Sequence, residues 1–312
     1  MNTVLAGHEQ EYLRLRRLMG ATLHAHEGLI SSFLSGLQAA GQERITVEAA
    51  VAWAVLPTDV SPRWRAYRLA VIRGFCAYVH ARNPVLAPVI PAGLIPSKAV
   101  HAIPYIYTPR QTVELMDAAR QLGPPARGLT VATVIGLMAA TGMRTGEALA
   151  LDLADVDLAA GVITVTGKYG KKRLVPVHPS TAGALAGYLR RSRDLVTARD
   201  PEAFFMTFIG TRPHAGNLQT AFRSLTTALG LKPRPGAGPP RLHDFRHTFA
   251  TESLAAAYRP GIDADARIAV LATYLGHVSP ASTYWYLTST PELLLLAAER
   301  IQAAQTLGKL LS

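Results

Sequence analysis

Cysteine is nearly absent. Cys76 is the only one in 312 residues, so no disulfide can form within the chain. Within Gly74-Phe75-Cys76-Ala77-Tyr78 it reads as a small, buried apolar side chain. No apolar run reaches the roughly 18 residues of a membrane span. Met1 to Gln10 has neither a charged leading segment nor an apolar stretch, so no cleaved secretory leader is expected. Internal repeats are missing too. Acidic residues are scarce, 21 against 32 lysines and arginines, which leaves a formal charge of +11. That surplus favours a polyanionic partner, nucleic acid first. A membrane surface fits less well, because no basic amphipathic anchor stands out. A soluble, cytoplasmic protein without a membrane partner is the expectation.

What is present is ample apolar material. Hydrophobic residues make up 49% of the chain, enough for a substantial core, and the length suits about two domains. Up to Val100 there are 10 basic and 6 acidic residues, and beyond it 22 and 15, so both parts are positive. The first 100 residues read as helices. Glu9 to Met19 carries Arg14, Arg16 and Arg17, and Gly20 suits its end. Gly28 and Gly36 interrupt the next stretch, Leu29 to Ala39. Thr46 opens a third helix and Ser61-Pro62 a fourth, by the pattern of a capping hydroxyl before proline. In the fourth, Tyr67, Val71, Phe75 and Val79 form a core stripe, while Arg65 and Arg68 lie elsewhere, free for solvent or for phosphate. Pro91 to Tyr107 reads as a linker.

Thr108-Pro109-Arg110-Gln111 is a capping box that starts a second domain. The apolar stretch Gly128 to Ala140 predicts a buried helix, broken by Thr141-Gly142 just before Arg144. Val162 to Val165 and Arg173 to Val177 alternate as strands around a turn holding Lys168, Gly170, Lys171 and Lys172. Pro179 to Val196 and Asn217 to Leu229 return to helix. The fold class is therefore mainly α with a small β component, with domains at 1–100 and 101–312.

After Pro239-Pro240 comes Arg241-Leu242-His243-Asp244-Phe245-Arg246-His247-Thr248-Phe249. A helix can begin only about there. On it His243, Arg246 and His247 share one face, and Leu242, Phe245 and Phe249 form a neighbouring stripe for a core. Three readings are open. The polar face is simply solvated, or His243 and His247 bind zinc in the manner of His-Glu-x-x-His, or His-x-x-Arg holds a phosphate. Against zinc, aspartate is one methylene short for the base, and Arg246 would set a cation beside the metal. A guanidinium suits phosphate because its planar fork donates to two oxygens at once.

The surrounding motifs decide. In order the chain has Thr141-Gly142-Met143-Arg144, then Gly167-Lys168 in the predicted hairpin, then His243-x-x-Arg246, then Leu275-Gly276-His277, then Tyr286 nine residues on. Each is weak alone, but together they resemble the tyrosine recombinase (phage integrase) family. The resemblance is strong from Thr108 to Thr290, looser from Asn2 to Val100, and closest to integrases of mobile elements. It implies a helical N-terminal bundle of the SAM-like core-binding kind and a mixed catalytic domain that clamp duplex DNA.

The resemblance also implies roles. Tyr286 would attack a DNA phosphorus, leaving a 3′-phosphotyrosyl bond and a free 5′-hydroxyl; Tyr284 and Tyr274 lack the spacing. Arg144, Arg246 and His277 would donate to the transition-state oxygens, Lys168 would protonate the leaving oxygen, and His243 would take the tyrosine proton. Glu147 would orient Arg144, and His247 would be structural. Lys171, Lys172, Arg173, Arg65 and Arg68 are candidate DNA contacts. No metal, cofactor or nucleotide is expected, because cations of the protein stand in for a metal. From Arg246 to His277 the stretch Ala255 to Ile268 is longer than in compact family members.

Thr290-Pro291-Glu292 starts a tail helix over about 290–311, with Leu294, Ala297, Ile301 and Ala304 at helical spacing. By resemblance it passes to a neighbouring subunit, so a monomer in solution and a homotetramer on DNA are expected, with accessory DNA-bending proteins. The alternative is a catalytically inactive architectural DNA-binding protein. The complete set of six motif residues argues against decay.

Overall fold

The computed structural model describes residues 3–21, 23–96, 103–167, 170–233, 235, 237–258, 263–276, 286, 294, 295 and 298. The chain divides into two compact units, Met1–His101 and Ala102–Ser312. The first is built of α1 (Thr3–Leu18), α2 (His24–Ala39), α3 (Val47–Val55) and α4 (Pro62–Arg82). Thr46 accepts from the Ala49 N–H at 3.1 Å and Ser61 from the Trp64 N–H at 3.2 Å. Each such cap is worth about 1 kcal/mol.

Gly28 and Gly36 do not interrupt α2. Each costs about 1 kcal/mol in a helix interior. Burial of Ile30, Phe33 and Leu37 outweighs that, at about 1.5–3 kcal/mol for each large side chain. Val71, Phe75 and Val79 enter the same core, with Cys76 beside them, its thiol pushed up to about 12 by burial. Tyr67 departs from the expected stripe. It is exposed and stacks on Trp64 with ring centroids 5.3 Å apart.

In the second unit α5 (Pro109–Arg120), α6 (Pro125–Thr141) and α7 (Thr145–Leu149) lead to a three-stranded antiparallel sheet. Its strands are β1 (Val156–Asp157), β2 (Val162–Thr166) and β3 (Lys172–Pro176), in that order. α8 (Pro179–Leu195), α9 (Ala215–Ala228), α10 (Asp244–Ala257) and α11 (Ala264–Leu275) follow. The Thr108 capping box forms as expected, with Gln111 returning the bond. β1 is too short to show alternation in sequence. α11 is new relative to the sequence reading and occupies part of the stretch that looked like an extension.

The end of the expected linker is not a linker. Tyr105 and Tyr107 are buried in the second unit's core, and Tyr107 stacks on Phe245 at 4.2 Å. The Tyr107 N–H donates to Thr248 and its hydroxyl to the Arg241 carbonyl. This segment therefore braces the start of α10. Most of the tail lies outside the described residues. Among the described residues no helix is long and apolar enough to cross a membrane.

Candidate active site

α6 ends at Gly142, whose φ of +62° is the left-handed region that favours glycine. A Cβ there would stand 2.7 Å from a Phe249 ring carbon, so the turn also packs too closely for a side chain. That turn delivers Arg144 to the start of α7. The Arg144 N–H donates to Glu147 Oε2 at 3.0 Å, and its Nη1 to Oε1 at 2.7 Å. From the hairpin, Arg173 donates Nη1 to Oε1 at 3.0 Å and Nη2 to Oε2 at 2.7 Å. Glu147 thus serves two arginines, with its side chain 8% exposed and that of Arg144 42% exposed.

Burial alone would raise the Glu147 pKa. Hydrogen bonds from Arg173, and from the backbone and side chain of Arg144, bring it instead to about 2 from an ordinary 4.5. A folded value below the unfolded one means stability present above about pH 4.5 and lost as pH falls through about 2.

α10 begins three residues later than the two prolines allow. Arg241, Leu242 and His243 form a tight turn, closed by the Asp244 carboxylate accepting from the Arg241 N–H at 2.8 Å. Arg246 follows on the buried side, 1% exposed. Its Nη1 donates to the Gly142 carbonyl at 3.0 Å and its Nη2 to the Leu275 carbonyl at 2.6 Å. Burial and then the nearby Arg144 charge lower its pKa to about 10, so it stays charged at neutral pH. The Tyr286 side chain lies within hydrogen-bonding reach of it. Tyr286 is 4% exposed, packed with Leu254, Ile268, Leu271 and Leu275.

The imidazole of His247 stands between neighbours. Its ring centroid is 5.0 Å from that of His243 and 5.4 Å from that of Tyr286. His243 is lowered to about 4, first by the protein packed around it and then by Arg246, Arg241 and Arg144. It is therefore neutral, and able to accept a proton, at ordinary pH. If it is the base, kcat/KM for cleavage should stay flat from about pH 7 to about pH 5, since this ratio reports the free enzyme. A fall beginning near pH 6.5 in single-turnover assays would count against that role.

The structure thus gathers Arg144, Glu147, Arg173, His243, Arg246, His247 and Tyr286. Lys168 and His277 lie outside the described residues. Among the described residues no group of three or more His, Cys, Asp or Glu could hold a metal ion, so His243 and His247 have no third ligand there. Lys171 and Lys172 are exposed.

Three expected DNA contacts are engaged elsewhere. Arg173 turns inward to Glu147 because β3 alternates faces. Arg65 donates to the Pro57 and Thr58 carbonyls, tying down the loop before α4. Arg68 lies 3.7 Å over the Trp53 ring and donates to the Trp53 carbonyl. Sequence reading missed Arg212, which donates to the carbonyls of Leu149 and Leu151 and pairs with Asp152. It holds the end of α7 from a loop remote in sequence, and no local signal marks it.

A buried arginine, a second arginine and a tyrosine thus meet on a mostly helical scaffold, a set of side chains suited to holding a phosphate. The description "Phage integrase family" matches residues 106–292. The chain is 38% identical over 300 residues to the provisionally named integrase/recombinase y4rB of Sinorhizobium fredii, covering 94% of this chain and 95% of that one. It is 34% identical over 251 residues to tyrosine recombinase XerC of Myxococcus xanthus, covering 77% and 76%. In fold it matches the Tn1549 transposon integrase solved with transposon right end DNA, at TM-score 0.63 and 16% identity over 95% of this chain and 99% of that one. The chain belongs to the phage integrase family. Its activity is that of a tyrosine-type site-specific DNA recombinase.

Proposed function

We propose that the Tyr286 hydroxyl attacks a backbone phosphorus of duplex DNA, forming a 3′-phosphotyrosyl bond as the bond to the 5′-oxygen breaks. A 5′-hydroxyl of a partner strand then reverses the step, releasing Tyr286 and resealing the backbone. One observation carries this reading. Arg246 is a buried cation that donates to two backbone carbonyls, with Tyr286 in reach and Arg144 close enough to depress it. A charge kept out of water with no carboxylate bonded to it among the described residues suits a site awaiting an anion.

In this scheme Arg144 and Arg246 donate to the non-bridging oxygens, joined by His277. His243 receives the tyrosine proton and Lys168 returns one to the leaving 5′-oxygen. Glu147 orients Arg144, and His247 packs against the nucleophile's ring. These cations carry out the charge neutralisation that a metal performs elsewhere, so neither metal nor nucleotide enters. Lys171 and Lys172 are proposed backbone contacts. Both basic units engage the duplex, and four copies assemble on two sites from monomers, with DNA-bending accessory proteins assisting. A cytoplasmic setting goes with a DNA substrate.

The deciding assay is a nicked suicide substrate in excess EDTA without nucleotide. A covalent protein–DNA adduct is the expected result. Binding without any adduct would favour the inactive architectural reading, and loss under EDTA restored by zinc would revive a metal mechanism. Lys168→Ala should slow cleavage of ordinary DNA far more than of a substrate with a 5′-phosphorothiolate leaving group. Sulfur departs without protonation, so equal losses on the two substrates would remove Lys168 from the acid role.

A further inference from the structure

Arg173 belongs to a lysine-rich hairpin and is not one of the six residues assigned to chemistry. In β3 Lys172 and Leu174 are exposed, while Val175 is buried and Arg173 shares its face. The Arg173 side chain is only 14% exposed. Its fork meets both oxygens of Glu147, the strong two-pronged geometry, and its Nε donates to the Tyr274 carbonyl at 2.9 Å. One guanidinium therefore joins three segments remote in sequence: the hairpin, the start of α7, and the last turn of α11.

Two consequences follow from that junction. First, Tyr274 and Leu275 offer adjacent carbonyls, one to Arg173 and the next to Arg246. The two arginines thus share one anchoring turn. At Gly276, with φ of +67°, a Cβ would stand 3.1 Å from Arg173 Nη1, so the backbone passes against this guanidinium just before His277. Second, Arg173 and Arg144 compete for the same carboxylate. With both Glu147 oxygens met by Arg173, and Oε2 also by the Arg144 backbone N–H, the Arg144 guanidinium reaches this carboxylate only through Nη1, at Oε1. Among the described residues the other edge of that guanidinium has no hydrogen-bond partner, which leaves it for an incoming oxygen. Without Arg173, Glu147 could take Arg144 with both oxygens and draw it away.

We propose that Arg173 is a positioning residue for strand cleavage rather than a DNA contact, holding Glu147 so that Arg144 keeps a free edge for the scissile phosphate. This rests on the reading of Arg144 as a phosphate donor. The test uses full-length Arg173→Ala and Arg173→Lys on a suicide substrate, with site affinity measured across a salt series. Cleavage kcat should fall about 10–100-fold, the usual effect of removing a group that orients a reacting residue. Lysine should restore little, because an ammonium cannot span both carboxylate oxygens. Site affinity and its salt slope should not change.

The loss should also shrink strongly in a Glu147→Gln background, since Arg173 acts through that carboxylate. A slope shallower by about 0.9 with cleavage retained would make Arg173 a phosphate contact and overturn the proposal. So would joint loss of binding, cleavage and thermal stability, or equal losses with and without Glu147. Arg144→Ala separates the levels. Normal cleavage by that variant sinks the underlying reading, whereas a dead Arg144→Ala beside a normal Arg173→Ala sinks only the positioning role.

Discussion

Tyr286→Phe is expected to bring covalent adduct formation down to background while leaving site DNA bound nearly as tightly as before. The ring is buried among Leu254, Ile268, Leu271 and Leu275 and lies against His247. Phenylalanine keeps all of that packing and removes one oxygen. The lost hydrogen bond towards the charged Arg246 concerns about 1.5–3 kcal/mol of folding stability, less than the roughly 5–15 kcal/mol of a typical domain, so the variant should fold. The missing nucleophile, by contrast, has no substitute at that position. Adduct on a denaturing gel and affinity by gel shift measure the two sides. An adduct that persists and maps to Tyr284 would overturn the assignment.

Arg246→Met should give the second largest effect, and in a direction that separates function from stability. Removing one donor to a developing oxyanion costs about 2.7–4 kcal/mol in the transition state, or roughly 10²–10³ in cleavage rate. The folded protein should tolerate the change much better. A buried charge carries a desolvation cost, and replacing one with an apolar side chain of similar length is often neutral for stability. Leaving the Gly142 and Leu275 carbonyls without this donor works the other way, so a small shift in melting temperature is expected. Arg246→Lys should not rescue cleavage, because an ammonium cannot reach both carbonyls and still face the phosphate. Unimpaired cleavage by Arg246→Met, scored in single turnover, would remove Arg246 from the chemistry.

Much of the architecture was legible in local sequence because its signals are local. Thr46, Ser61 and Thr108 cap the helices that follow them, since a hydroxyl needs only the N–H three residues on. Gly142 ends α6 because its own backbone must turn left-handed. The two long strands showed through alternation. β1, with two residues, has no period to read, and the burial of Tyr105 and Tyr107 depends on Phe245, far along the chain. Tyr67 failed as a core residue because helical spacing states which residues share a face, not how far the partner helices extend over it.

What the sequence by itself determined here is the inventory and order of chemical groups: Arg144, Glu147, the hairpin cations, His243 with Arg246, and Tyr286 at a fixed interval after His277. Charge type and spacing along the chain are covalent facts, and a guanidinium suits phosphate wherever it is placed. Only the tertiary structure decided what each arginine faces. Arg173 and Lys172 are neighbours of the same charge, yet one pairs inward with Glu147 and the other stays exposed. Arg65 and Arg68 looked free for phosphate and instead hold carbonyls of their own unit. Arg212 fastens α7 across 61 and 63 residues of sequence. A long cationic side chain takes whichever carboxylate, carbonyl or ring the packing brings within reach, and that partner is set by contacts between distant segments.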